Sequence, residues 1–446
     1  MYKQKSIQAI KLALPIIAGQ LGQVLMGVFD NIQIGGLGSE YIAAVGFSNN
    51  VYWVITLLGM GVLFSVSPLV SEAFGEQKAW KSIGVFRSGI VVAIVVSLLI
   101  SAITYMVIQH IEIFQQAQII NENAFKYIRI LNVSTIALIL YTCGKQFTDG
   151  MGKTMVGMVL SIGGLLLNIA LNAVLIYGRF GFPKMGIEGA ALATSISRVL
   201  MTIAIFVYIW RNKKIKKLRQ EYRVSPDKDR SFVLPILRLG IPAGLQFFFE
   251  VAAFSFTQIM SGWIGVGYLA AHQIAISLAS STFMVATGLS AAGTIMTGFA
   301  YGAKDKEGAR IAGNTIFLLT TGLEVIFLVL FLILHSWLPK IYTDDPAVLR
   351  IASTLVILAA LFQLSDGLQA AGAGVLRGVQ DVKFPSVLAF ISYWGIMVPL
   401  GYVLAFKTGL GVNGLWVGFI VGLSIAAVLL MLRFRWKVRR LQFQDL

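Results

Sequence analysis

Three acids lie inside runs that otherwise read as membrane-spanning: Asp30 ends LGQVLMGVFD, Glu250 follows IPAGLQFFFE, and Asp366 lies in ILAALFQLSDGLQAAGAG. An ionisable side chain at mid-bilayer depth costs roughly 2.5–3.5 kcal/mol on insertion scales. Such residues face a bundle interior or a wet cavity, where a carboxyl can hold a proton, an alkali cation or a cationic solute. Asn168 and Asn172 stand four apart in LLLNIALNAVLIYG, which places both amides on one helix face. With Thr194 and Asp30 they make an oxygen-rich candidate site in the N-terminal half. In the C-terminal half, Glu250 and Asp366 are a candidate site for a proton or an alkali cation such as Na⁺, and Gln273 follows His272 in the eighth span. Two carboxylates in one half-cavity repel, and a bound cation relieves that repulsion. His272 reads as a packing or hydrogen-bonding residue. Glu324 also sits in an apolar run, with no repeat or motif to assign it a role.

The elements that must position these groups are helices in lipid. The chain has 446 residues, 57% hydrophobic and 13% charged, against about 25% charged in a soluble protein. Apolar runs near 20 residues predict an all-α polytopic membrane protein. Alternating ten-residue strands, the mark of a membrane barrel, are missing. Twelve spans are expected near residues 12–34, 46–70, 84–108, 126–146, 155–177, 188–210, 233–261, 268–297, 311–335, 348–374, 385–406 and 412–433.

The net charge of +16 does not point to nucleic acid, because the basic residues lie in short loops between apolar runs. The N-terminus, the even-numbered connections and the C-terminus carry 27 Lys/Arg, while the odd-numbered connections carry four, Arg179, Lys184, Lys340 and Lys407. That excess places both termini in the cytoplasm. MYKQKSIQAIK leads straight into a span, with no cleavable signal expected. Cys143 is the single cysteine and His110, His272 and His335 are scattered, which excludes an intrachain disulfide and a Cys-rich metal site. No phosphate loop, H-E-x-x-H or G-x-S-x-G is present, so ATP-driven transport and enzymatic activity are not expected.

The halves repeat. KLALP at 11–15 matches RLGIP at 238–242, GSEYIAA at 38–44 matches GVGYLAA at 265–271, and FG at 74–75 matches YG at 301–302, all offset by 227 residues. Later, GIEG at 186–189 matches GVNG at 411–414 at an offset of 225. Six spans per half gives like-oriented repeats, expected as an N-terminal lobe (1–218) and a C-terminal lobe with a cytoplasmic tail (219–446), joined through the basic stretch RNKKIKKLRQEYRVSPDKDR. Parallel repeats of this kind are frequent in secondary transporters. Pro15 and Pro242 fall inside the first spans of the two halves and are expected to kink them.

LALPIIAGQLGQVLMGVFDNIQIGGLG, GIPAGLQFFFEVAAFSF, YLAAHQIA and LSDGLQAAGAGVLRGVQD together resemble the multidrug and toxic compound extrusion (MATE) family, in its NorM-like branch, over nearly the whole chain. The resemblance implies two six-helix bundles and antiport of organic cations against Na⁺ or H⁺, without a cofactor, by a multi-pass monomer in the inner (plasma) membrane of a prokaryote. Asp30, Asn168, Asn172 and Thr194 would then form the N-lobe site, and Glu250, Gln273 and Asp366 the C-lobe site. Two departures bear on the ion. Some relatives carry a second acid where Asn172 stands, and some NorM-like members a tyrosine where Phe362 stands. The rival reading is a flippase for lipid-linked precursors or polysaccharides; it calls for a cavity rich in Arg and Lys, whereas the deep charges here are mostly acidic.

Overall fold

The computed structural model describes residues 2–225 and 228–441; Pro226 and Asp227 of the basic linker, and the tail from 442 to 446, lie outside the described residues. Sixteen α-helices and no strand occur among the described residues. In the first half they are α1 (Tyr2–Gly35), α2 (Ser39–Leu63), α3 (Val66–Gly75), α4 (Lys81–Gln109), α5 (Gln118–Val133), α6 (Thr135–Gly150), α7 (Thr154–Leu175), α8 (Gly186–Arg211) and the short α9 (Lys213–Arg223). In the second half they are α10 (Val233–Ile264), α11 (Val266–Gly302), α12 (Lys306–Leu334), α13 (Pro346–Gly378), α14 (Lys383–Phe390), α15 (Val398–Phe406) and α16 (Val412–Arg439).

Eleven helical segments among these residues are long and apolar enough to cross a membrane, and the pair α5–α6, bent by 47° at its break, makes a twelfth if taken as one span. Each backbone donor in hydrocarbon needs a partner within its own segment, which the helix supplies. The least buried spans keep an apolar face uncovered: Val91, Val95, Leu98 and Leu99 on α4, and Leu318, Ile326 and Ile333 on α12, are all exposed. The helix runs through Pro15 in α1 and through Pro242 in α10, so neither proline ends its span.

Two compact units are present, one built from Met1–Leu14 with Leu245–Leu446, the other from Pro15–Gly244. The divisions fall inside α1 and α10, at Pro15 and two residues after Pro242. The basic helix α9 belongs to the second unit. Asn212 caps it, accepting from the backbone N–H groups of Lys214 and Ile215 at 3.1 and 3.3 Å. Ile215 and Tyr222 bury themselves while Lys213, Lys214, Lys216 and Lys217 stay exposed. Lys153 Nζ donates to Asn212 Oδ1 at 3.2 Å; partial burial, with Lys214 nearby, holds its ammonium below the ordinary lysine range.

The duplication extends to the backbone. Gly38 (φ 138°) precedes α2 and Gly265 (φ 155°) precedes α11, 227 positions on. Gln77 (φ 58°) and Lys304 (φ 55°) repeat at the same offset, and Gly186 (φ 55°) and Gly411 (φ 56°) at 225. Positive φ costs a non-glycine residue energy, so its recurrence at Gln77 and Lys304 means that the same tight connection was kept twice.

In the unit that holds Asp366, α13 is joined to α11 by hydroxyl-to-carbonyl bonds. Ser290 Oγ donates to Ala370 O at 2.6 Å, Thr294 Oγ1 to Gly374 O at 2.8 Å and Thr297 Oγ1 to Val375 O at 3.1 Å. Ala370, Gly374 and Gly378 repeat every four residues and let the backbones approach. A Cβ at Gly378 would lie 2.6 Å from Thr294 O and closer still to Thr297 Oγ1. Gly378→Val should therefore cost about 1–3 kcal/mol through overpacking. The expected result is a thermal midpoint several degrees lower for the purified protein in detergent, followed by fluorescence-detected size exclusion; an unchanged midpoint would refute this close packing.

Candidate functional sites

In the Pro15–Gly244 unit the four sequence-selected polar residues converge. Asp30 on α1, Asn168 and Asn172 on α7 and Thr194 on α8 are all buried, Asp30 being 3% exposed. Asn172 Nδ2 donates to Asp30 Oδ1 at 2.6 Å, and Thr194 Oγ1 donates to Asp30 Oδ2 at 3.1 Å. Asn168 Nδ2 donates to Thr194 Oγ1 at 3.1 Å, and its Oδ1 accepts from Asn172 at 3.4 Å. The i,i+4 spacing on α7 brings both amides to one place, as the sequence predicts. Just past Asp30, Gln33 staples α1 to α7: its Nε2 donates to Ile169 O at 3.1 Å, and its carbonyl accepts from Tyr177 Oη. Asn172 Oδ1 has no hydrogen-bond partner, which leaves one oxygen free beside the carboxylate.

Arg198, one turn beyond Thr194 on α8, has no role in the sequence reading. It lies within electrostatic reach of Asp30. Its Nη1 donates to Tyr52 Oη at 3.1 Å and to Ser134 Oγ at 3.2 Å, and the guanidinium sits 5.2 Å from the Tyr52 ring centroid. The carboxylate thus has an internal cation in its neighbourhood, held by other partners.

The other unit holds Glu250 on α10 and Asp366 on α13, which are 6% and 5% exposed and act on each other electrostatically. Asp366 Oδ1 has no hydrogen-bond partner. Gln273 on α11 does not join them. It is exposed, whereas His272 beside it is buried in an aromatic cluster and accepts from Trp416 Nε1 at 3.2 Å. Phe362 packs edge-on against Phe254 and Trp416, with centroids at 6.0 and 5.5 Å, and offers no polar atom.

Three groups near Glu250 escaped the sequence reading. Tyr393, Gln369 and Arg377 surround its carboxyl. Tyr393 Oη faces Glu250 without completing a hydrogen bond of proper geometry, and Gln369 Oε1 is likewise unpartnered. Arg377 is buried in the last turn of α13, 5.3 Å from the Phe247 ring centroid; as one of the loop cations of the sequence count it gave no sign of this. Tyr393 owes its place to a π-helical stretch, Ile391–Met397, between α14 and α15. Pro399 at the start of α15 lacks a backbone donor, and a wider turn before it accommodates the missing bond. Trp394 Nε1 donates to Phe249 O at 3.1 Å and ties this stretch to α10 next to Glu250.

Among the described residues no three His, Cys, Asp or Glu side chains converge tightly enough to hold a metal. A cation at Glu250 and Asp366 would use two carboxylates and neutral oxygens such as Gln369 Oε1.

Up to twelve spans, repeated backbone turns and buried carboxyl sites in both units define a duplicated helical membrane protein with polar chemistry inside an apolar shell. The MatE family profile matches residues 15–174 and 242–403, and the chain belongs to that family. It is similar to the multidrug resistance protein NorM of Photobacterium profundum, 32% identical over 442 residues, which span 98% of this chain and 96% of that protein. It is likewise similar to the probable multidrug resistance protein NorM of Xanthomonas campestris pv. campestris, 34% identical over 96% of this chain and 94% of that protein. Among solved structures, the fold matches the eukaryotic MATE transporter AtDTX14 with a TM-score of 0.88 at 20% identity, covering 99% of this chain and 98% of that one. It also matches an outward-facing multidrug resistance MATE transporter of the MOP superfamily with a TM-score of 0.88 at 22% identity, covering 99% and 97%.

Asn172→Ala removes the closest donor to Asp30. Leaving a buried carboxylate short of a partner costs about 1–3 kcal/mol, read as a lower thermal midpoint. Asn172→Asp sets a second carboxylate against the first. Its penalty should be largest at neutral pH and shrink on acidification, as one proton comes to be shared. Equal penalties at pH 5 and pH 8 would mean that the two side chains do not meet as described.

Proposed function

We propose that this chain is a cation-coupled multidrug efflux antiporter. It exports amphipathic, often cationic compounds across the inner membrane of a prokaryote by alternating access, with H⁺ or Na⁺ as the coupling ion and both termini cytoplasmic. It works as a monomer without a cofactor, its lobes taken as residues 1–218 and 219–446. The observation that carries this reading is the pair of separate carboxyl sites, one inside each compact unit, both removed from solvent and both next to polar atoms without partners. The naming of the relatives as multidrug resistance proteins supports the substrate class.

The two sites favour different ions. Around Asp30 the carboxylate oxygens already accept from an amide and a hydroxyl, and with a single acid present the natural exchange is one proton. Around Glu250 and Asp366 two acids with a free oxygen suit either a proton or Na⁺. An organic cation would be attracted by carboxylate charge and by aromatic faces. Coupling requires ion and drug to differ in their affinity for the two access states.

The test is dye efflux from proteoliposomes, with a pH gradient and a Na⁺ gradient imposed in separate experiments. At least one gradient should drive efflux. Asp366→Asn and Glu250→Gln should each lower the gradient-driven rate about tenfold or more, the equivalent of about 1.4 kcal/mol. Undiminished rates in both variants would remove these acids from the mechanism, and gradient-independent dye leakage would indicate a channel.

A further inference from the structure

The C-terminal unit contains a third deep acid, which has no part in the exchange proposed for Glu250 and Asp366. Glu324 lies midway along α12 and is 2% exposed, with Oε2 lacking any hydrogen-bond partner. Thr320, one turn earlier on the same face, also has a buried hydroxyl without a partner. The Glu324 carboxyl is seated over Gly367 on α13: a Cβ there would lie 2.5 Å from Glu324 Oε1 and 2.8 Å from its Cδ. Gly367 is the residue after Asp366, and Glu324 acts on Asp366 electrostatically. The missing side chain at 367 therefore makes room for an acid from the neighbouring helix beside the site acid.

This seat is costly for packing alone. A leucine on α12 would fill the same space without burying an unpartnered polar atom. At the repeat offset of 227, the other half carries Ser97, likewise buried, in place of Glu324. The acid is thus a feature of one unit and no requirement of the repeated fold.

We propose that Glu324 is a positioning residue of the ion site: its carboxyl sets the pH at which Asp366 takes up and releases the coupling cation, acting by charge across Gly367. The three acids do not converge on one point, so Glu324 is no ligand to a shared metal ion. The groups facing it are Asp366 from α13, with Glu250 of α10 and Arg377 of α13 beyond. The helices α11 and α16 also pack on α12; α11 carries no Asp, Glu, Lys or Arg, and the charged residues of α16 begin at Arg433, in its last two turns. A like charge nearby disfavours ionisation of a carboxyl, so removing that charge makes Asp366 easier to ionise.

The proposal rests on the antiport reading, and the experiment separates the two. Proteoliposomes carrying wild type, Glu324→Gln, Glu324→Asp, Gly367→Ala or Asp366→Asn are assayed for dye efflux across a series of pH values. Glu324→Gln should move the midpoint of the pH profile down by about one unit. Glu324→Asp, which keeps the charge, should stay near wild type. Gly367→Ala, which displaces the carboxyl without removing it, should shift the midpoint the same way by less. Equal loss of rate at every pH with an unmoved midpoint in Glu324→Gln and Gly367→Ala would make Glu324 merely structural and overturn the proposal. Wild type without gradient-driven efflux would overturn the antiport reading and this proposal with it. Gradient-driven wild-type efflux that Asp366→Asn abolishes, with Glu324→Gln matching wild type throughout, would overturn the proposal alone.

Discussion

A charged or polar group inside an apolar shell has to find its partners within the protein, and this constraint orders the structure more than any other. In hydrocarbon no water is available to complete a hydrogen bond. Around Asp30 the requirement is met almost in full, since an amide and a hydroxyl from two further helices reach its two oxygens. Around Glu250 and Asp366 it is met only in part: Tyr393 reaches towards Glu250, while Asp366 Oδ1 and Gln369 Oε1 remain without protein partners. The two sites thus differ in how fully the protein itself satisfies their acids.

The duplication supplies the scaffold and leaves the chemistry to diverge. The tight turns at Gln77 and Lys304 match at the repeat offset, as do those at Gly38 and Gly265. The acids do not. At the offset of 227, Asp30 corresponds to Thr257 and Glu250 to Gln23; at 228, where α5 and α13 begin 228 residues apart, Asp366 corresponds to Leu138. Each unit has therefore placed its acid at a different position on a similar frame. That is why the N-terminal set is one acid among amides and hydroxyls, and the C-terminal set several acids with a buried arginine.

The spans, the repeat and the N-terminal polar set were legible in the sequence for physical reasons. Long apolar runs have few other readings, and two amides at i,i+4 on one helix must share a face. The C-terminal surroundings were not legible. Gln273 enters the site only through the family resemblance; a helix turns about 100° per residue, and with His272 buried its neighbour is exposed. Arg377 sits near a span end and was counted as a loop cation, yet the last turn of α13 is buried and carries it towards Glu250. Tyr393 is more than 140 residues from Glu250, and no local spacing connects them. Its one local trace is Pro399, six residues on, which marks an irregular backbone without saying what that irregularity presents.

Irregular backbone at span depth is tolerated where it borders polar interior, and each unit has such a break near its acid. In one unit the break falls between α5 and α6, at Ser134, whose hydroxyl accepts from Arg198, the cation within reach of Asp30. In the other the span that corresponds to α5–α6, α13, runs unbroken for 33 residues. There the irregularity has moved to the π-helical stretch of a different span, which carries Tyr393 to Glu250 and ties Trp394 to the carbonyl beside it. A π turn adds a residue to the helical circuit and rotates the rest of the helix beyond it, so its effect is to aim side chains that a regular helix would turn elsewhere. The two units thus solve one problem, bringing a polar partner to a deep acid, by interrupting different helices. That difference explains how a duplicated frame came to hold two unlike sites.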